Sequence, residues 1–224
     1  MARTRALREE GLSAWCWTGG YHVPPTTLTG SVRRDITFIR EMSNPYLEVT
    51  GEQLPSGDQY RVRKLINTLK ESEGPLFVHM HLMGTHGDRF PIKQQVFSTG
   101  QLQEYPWMTD FYDDSVLQFD EYVGEVVSEL SKLGILEDTI IVIYSDHGQH
   151  YFTDQRVPLL LRFPNGDYAG RIRNNVQNLD IAPTILEYLG QPVPGWMEGR
   201  SLLAGEPDTL RPIFSAGISL QPCP

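Results

Sequence analysis

Asp146 and His147 stand side by side where an apolar run, IIVIY over residues 140–144, gives way through Ser145 to Gly148, with a second imidazole at His150. Carboxylate oxygen and imidazole nitrogen are ordinary ligands of divalent metals. In open α/β sheets ligands bind beyond the carboxyl ends of strands, which is where this pair would be delivered. Asp-His-Gly is also good turn chemistry, and both readings stay open on the tripeptide alone. His150 is near enough in sequence to join a metal shell, although a solvent-facing turn residue is the plainer expectation.

A third imidazole, His86, lies between Gly84 and Gly87 just past another apolar run, residues 75–82. Loops at strand ends carry function disproportionately, and an imidazole there can bind an ester oxygen or give a proton to a leaving group. A plain surface histidine is the competing reading. His79 and His81 fall inside the run at period two and share a face, so they read as packing residues with hydrogen-bond partners. Asp120 and Glu121 read as solvated or capping charges, and Arg156 and Arg162 as strand-flanking arginines that either meet an anion or serve structure. No nucleophile stands out. Cys16, in WCW, falls in an expected buried strand where cysteine acts as a small hydrophobe, and Thr26, Thr27 and Thr29 lack an activating neighbour.

The elements needed to position these residues are legible in outline. Five consecutive apolar residues at 140–144 predict a strand buried on both faces. Residues 12–17, 75–82 and 156–163 predict further strands, with Pro158 best placed near a strand start or on an edge. Val62, Leu65, Ile66 and Leu69 at helical spacing predict a helix over 58–73 stopped by Gly74-Pro75. Tyr112, Val116, Phe119, Val123, Val126, Val127 and Leu130 predict a long amphipathic helix over 108–133, capped by Gly134. Residues 178–190 predict a helix with Asp180 as its cap and Pro183 in its first turn. Short helices over 2–10 and 32–42, irregular chain over 18–30 and 43–56, and a last strand over 211–216 complete the expectation. Strands alternating with helices define an α/β fold with a mainly parallel sheet flanked by helices.

The 224 residues carry 19 Lys and Arg against 28 Asp and Glu, a net charge of −9, which argues against an extended nucleic-acid footprint. An acidic chain that handles an anionic substrate needs local cations, and a bound metal supplies them. Cys16 and Cys223 make neither a disulfide framework nor a zinc motif, and they leave the redox compartment undecided. No window is long and apolar enough for a membrane span, and the start of the chain has no apolar signal core.

Several stretches taken together resemble the sulfatase family, within the wider alkaline phosphatase-like superfamily. They are FVHMHLMGTHGDRFP at 77–91, the 112–148 segment ending in IIVIYSDHG, RVPLLLRFP at 156–164, DIAPTILEYLGQPVP at 180–194 and GRSLL at 199–203. Their order and spacing match the latter half of a sulfatase catalytic domain over about residues 75–216, and LREEGLSAWCWTGG at 7–20 matches more loosely. The resemblance implies an alkaline phosphatase-like fold, incomplete here, with residues 1–74 as an N-terminal remnant and 75–224 as the core that carries the Asp-His-Gly motif. It implies metal-assisted hydrolysis of a small-molecule or glycan sulfate or phosphate ester. Asp146 and His147 would hold the divalent ion, and His86 would contact the ester and assist the leaving group. Calcium or manganese is the expected ion, with zinc a further option, and an imidazole ligand leans toward the softer ions because calcium prefers oxygen.

The family's formylglycine motif, C-x-P-x-R or S-x-P-x-R, occurs nowhere in the 224 residues, nor does the N-terminal acidic pair that completes the metal shell. Between Gly148 and the 156–163 strand only seven residues intervene, without lysine, where the family has a longer excursion. The chain therefore reads as a fragment of a sulfuric ester hydrolase. A phosphodiesterase, phosphonate hydrolase or phosphoglycerol transferase of the same superfamily is the alternative reading, and a degenerate binding domain that keeps the fold is a third.

Overall fold

The computed structural model describes residues 13–17, 57–151, 155–203 and 211–213. The elements expected over 2–10, 18–30, 32–42 and 43–56, together with Thr26, Thr27 and Thr29, lie outside these residues. The chain divides into two compact units, Met1–Gly134 and Ile135–Pro224.

In the first unit β1 (Ser13–Trp17) and β2 (Leu76–Met80) pair in parallel, in register from Ser13 opposite Leu76 to Trp17 opposite Met80, so Cys16 stands opposite His79. A parallel pair needs a crossover, and α1 (Gly57–Glu71) lies on it, immediately before β2. Val62 and Leu65, one turn apart on α1, are buried as their spacing predicts. Near its far end Lys70 reaches Glu129 of α2 (Thr109–Lys132) at 3.1 Å.

The buried face of α2 departs from the expected apolar stripe. It consists of Phe111, Asp114, Ser115, Gln118, Tyr122 and Leu130, while Val116 is exposed. Asp114 and Gln118 are buried because loop backbone needs their oxygens, while the Ser115 hydroxyl donates to the Tyr112 carbonyl of its own helix at 2.6 Å. Asp114 accepts the amides of Val96, Phe97 and Ser98 at 2.8 to 3.1 Å and the Ser98 hydroxyl at 2.5 Å, and Gln118 accepts the Lys93 amide at 2.8 Å. Loop amides must find partners when removed from water, and here they find them on a helix, which turns that helix's inner face polar. Lys93 also lies over the Tyr122 ring, 4.4 Å from its centre. Gly134 closes α2 at φ 73° with its amide on the Ser131 carbonyl, the left-handed cap read from the sequence.

In the second unit β3 (Ile141–Tyr144) pairs with β4 (Leu159–Arg162), and the pairing is antiparallel, Ile141 opposite Arg162 and Tyr144 opposite Leu159. Pro158 sits one residue before β4, where its missing N–H costs no ladder bond. The expectation that β3 is buried on both faces is not met: its apolar residues are half-buried and Tyr144 is exposed. Among the described residues β4 is its hydrogen-bonded neighbour, and an apolar run alone cannot report how many layers cover it.

Arg162 fastens this strand pair from outside. Its guanidinium donates to the Leu136 carbonyl at 2.8 Å and to Glu137 at 2.6 Å, and the second Glu137 oxygen accepts the Asn165 amide at 2.7 Å. This is the structural alternative for Arg162, and no anion site is needed to account for it. Phe163, Tyr168 and Tyr188 form an aromatic cluster with ring centres 4.6 to 6.2 Å apart. Partial burial and the Asp167 carboxylate 3.1 Å away push the Tyr188 hydroxyl above its ordinary 10.0, so it remains a donor.

Asp180 occupies the N-cap position that the sequence predicts, but its side chain makes no cap bond to the helix that follows. The helix, α3 (Ile181–Tyr188), follows a single tight turn at Asn178–Asp180, and the Asp180 carboxylate is fully buried. It accepts the amides of Gln177 and Arg200, both at 2.8 Å, and both arms of Arg211 at 2.8 and 2.9 Å. The local Gln177 amide, which closes a capping box on the preceding turn, is joined by the distant Arg200 and Arg211 because a carboxylate with no water needs every lone pair satisfied. Gly199 makes this approach possible, since a Cβ there would overlap the Leu179 carbonyl. Residues 211–213 form no strand, and the remainder of that expected strand lies outside the described residues.

Candidate functional site

β3 ends at Tyr144 and delivers Ser145 to Gly148 into a loop fixed by its own hydrogen bonds. The Ser145 hydroxyl donates to the His147 carbonyl at 2.7 Å, and the side chain of Asn178 donates to the Ser145 carbonyl at 2.8 Å. The His147 amide donates to Asp146 Oδ1 at 3.1 Å. His147 Nδ1 lies 2.8 Å from the Gly148 carbonyl, which can only accept, so Nδ1 carries the proton. That fixes the tautomer, and the other ring nitrogen, Nε2, lies 3.7 Å from Asp146 Oδ1. Orientation of a ligating imidazole through a carbonyl on its second nitrogen is the usual arrangement at metal sites.

The donor set suits a divalent cation. A single ion with bonds of about 2.0 to 2.2 Å to nitrogen and oxygen can bridge a 3.7 Å span. The Asp146 side chain is 61% exposed and His147 half-buried, so the pair is open to an ion from solvent. Two donors do not complete a shell, and among the described residues no group of three or more His, Cys, Asp or Glu is placed to do so. His150 sits in the tight turn that follows, exposed and at φ 58°, a left-handed backbone that histidine adopts more readily than most residues other than glycine.

His86 belongs to the first unit, in the loop that leaves β2. It is half-buried, and its amide donates to the Met83 carbonyl at 3.0 Å, closing a turn. The turn itself is held by a residue that the sequence reading passed over. Asp58, buried in the first turn of α1, accepts the Met83 amide at 2.9 and 3.0 Å through its two oxygens and the Gly84 amide at 2.6 Å. Arg61 neutralises it at 2.6 Å, one helical turn along. His79, within β2, and His81, just beyond it, are half-buried, as packing residues would be. Asp120, Glu121 and Arg156 are exposed.

Of the nominated residues the structure thus brings Asp146 and His147 together, and gives His86 a fixed loop of its own. Asp58 carried no sequence signal beyond an acid near a helix start, because its partners are backbone amides 25 and 26 residues away.

A crystal structure of a protein in the alkaline phosphatase superfamily from Vibrio parahaemolyticus superposes with a TM-score of 0.56 at 18% identity, over 89% of this chain and 50% of that one. The fold is therefore the α/β fold of that superfamily. Residues 34–191 match the Sulfatase family, and the chain belongs to it. The N-acetylglucosamine-6-O-sulfatase of Bacteroides thetaiotaomicron is 36% identical over 124 residues, which span 50% of this chain and 22% of that protein. The extracellular sulfatase SULF-1 homolog of Drosophila melanogaster is 42% identical over 98 residues, 38% of this chain and 9% of that protein. The chain thus spans less than a quarter of the length of either relative.

Proposed function

We propose that this chain is part of a metal-dependent sulfuric ester hydrolase, in which Asp146 and His147 hold a divalent cation and His86 contacts the ester. The observation that carries the reading is the Asp146–His147 pair: the imidazole's Nδ1 proton is engaged by Gly148, while Nε2 and a carboxylate oxygen converge at 3.7 Å. Two acceptors that face each other repel unless a cation or a proton lies between them. Manganese suits such a mixed nitrogen and oxygen set, with zinc the softer alternative, whereas calcium would rely on the carboxylate and further oxygens.

The ion, when bound, supplies Lewis-acid stabilisation of charge on the sulfuryl oxygens. This chain's own residues do the rest. Asp146 and His147 fix where the charged end of the ester sits. His86 donates a hydrogen bond to the bridging oxygen, and as the S–O bond breaks the alcohol oxygen takes that proton. The attacking group is supplied by residues other than these 224, which contain no formylglycine motif. Similarity to an N-acetylglucosamine-6-O-sulfatase and to an ulvan-active sulfatase favours a sulfated glycan as substrate.

Calorimetric titration of the full chain with manganese tests the metal reading. Asp146→Ala and His147→Ala should each weaken binding by roughly tenfold or more, since loss of even an outer-shell partner of a ligand acts on that scale; affinity unchanged in both variants removes the pair from any metal site. Assays with an aryl sulfate and an aryl phosphate diester should show no turnover by this chain alone, and robust turnover of either overturns the assignment of the nucleophile to residues outside it.

A further inference from the structure

The buried carboxylate of Asp58 has no part in the site as proposed, and it grips the loop that carries His86. We propose that Asp58 is a positioning residue for His86; the inference rests on the reading of His86 as the imidazole that contacts the ester. An acid in the first turn of a helix ordinarily serves its own helix's amides. Asp58 instead turns both oxygens to the amides of Met83 and Gly84, with Arg61 as its counter-charge.

The geometry leaves little slack. A carboxylate that receives two loop amides and a guanidinium in a buried site uses most of its lone pairs, and charged acceptors make the strong bonds. Gly84 is packed so closely that a Cβ there would come within 3.0 Å of Asp58 Oδ2. The Met83 residue whose amide is held is the same one whose carbonyl accepts the His86 amide. Helix α1, the carboxylate, the Met83 peptide units and His86 therefore form one continuous path of short contacts. A site on a loop gains precision in this way by being bonded to a regular element.

Asp58→Asn is the first test, since it keeps the shape but replaces one acceptor oxygen with an NH2 that opposes a loop amide. Two readouts are followed in the full chain: hydrogen exchange of residues 82–87, and the rate of carbethoxylation of His86 by diethyl pyrocarbonate, with His150 as internal reference. Exchange in the loop should rise about tenfold, with the cores of α1 and α2 unchanged. The His86 rate should rise about threefold or more relative to His150, as a residue released from a fixed loop becomes more accessible.

Loop exchange that rises while His86 reactivity stays at the native value makes Asp58 structural only and overturns the proposal. If Asp58→Asn does not fold, Gly84→Ala presses on the same contact and should move His86 reactivity in the same direction; no movement overturns it equally. The underlying reading is tested apart from this. Unchanged affinity of His86→Ala for 4-nitrophenyl sulfate, followed by NMR titration, removes the ester contact and with it the functional meaning of the clamp, whereas a failure in Asp58→Asn removes the clamp alone.

Discussion

Asp58 and Asp146 are the same residue type put to opposite uses. Asp58 is buried and saturated by two loop amides and a guanidinium. Asp146 stands 61% exposed and takes the amide of its own neighbour, His147. A carboxylate offers about four acceptor positions. In the first case they are filled by the chain and the result is a fixed loop; in the second most remain turned to solvent, where the proposed ion would be met. Asp114 and Asp180 fall on the Asp58 side of this division, each accepting four hydrogen bonds from loops or from Arg211. Saturation by chain donors separates these three carboxylates, which hold loops in place, from one left largely open to solvent.

The sharpest way to break the comparison is at Asp180. Removal of a fully buried acid strands the Arg211 guanidinium and two amides, so Asp180→Ala should cost about 3 to 5 kcal/mol in urea unfolding. A loss below about 1 kcal/mol would show that solvent reaches the site and that burial is not what distinguishes the two groups.

Asp114 sharpens the contrast through pH. Burial raises its pKa, but the Ser98 hydroxyl and the amides of Phe97, Val96 and Ser98 outweigh that and hold it below the ordinary 3.8. A folded value below the unfolded one means the contribution is present above pH 3.8 and is lost as pH falls through the lower folded value. Asp114→Asn should therefore destabilise by about 1 to 3 kcal/mol near neutrality. The gap between native and variant should close as unfolding is repeated at pH values descending from 4, and a gap that is constant with pH would contradict the assignment of charge to Asp114.

The smallest effect is expected at Asp146. Asp146→Ala should leave stability within about 0.5 kcal/mol of native, as for exposed sites generally, while its effect on manganese affinity is large. A stability loss on the Asp180 scale would place Asp146 among the structural carboxylates.

What was legible in the sequence follows the range of the interactions involved. The spacing of Val62 and Leu65, the Gly134 cap and the run that becomes β3 are local patterns, and each appears where expected. The position of Asp146 and His147 just beyond a strand end was legible for the same reason. The antiparallel partner of β3 and its partial exposure were not, because an apolar run states what is buried in part without stating against what. Asp58 and Asp114 escaped notice, and Asp180 was read as a cap alone, because their partners are mostly backbone amides between 3 and 26 residues away, and every residue except proline has one. The α2 stripe misled for a related reason: hydrophobic periodicity assumes an apolar inner face, whereas loops anchored on that helix demand oxygens.

The anchoring of the 96–98 loop on Asp114 also bears on how this surface can diverge. The grip is on the amides of Val96 and Phe97, whose side chains point outward and are 45% and 54% exposed. Exchange of either residue for any other except proline, which has no N–H, leaves the attachment in place, so the loop can acquire new surface chemistry without redesign of the frame beneath it.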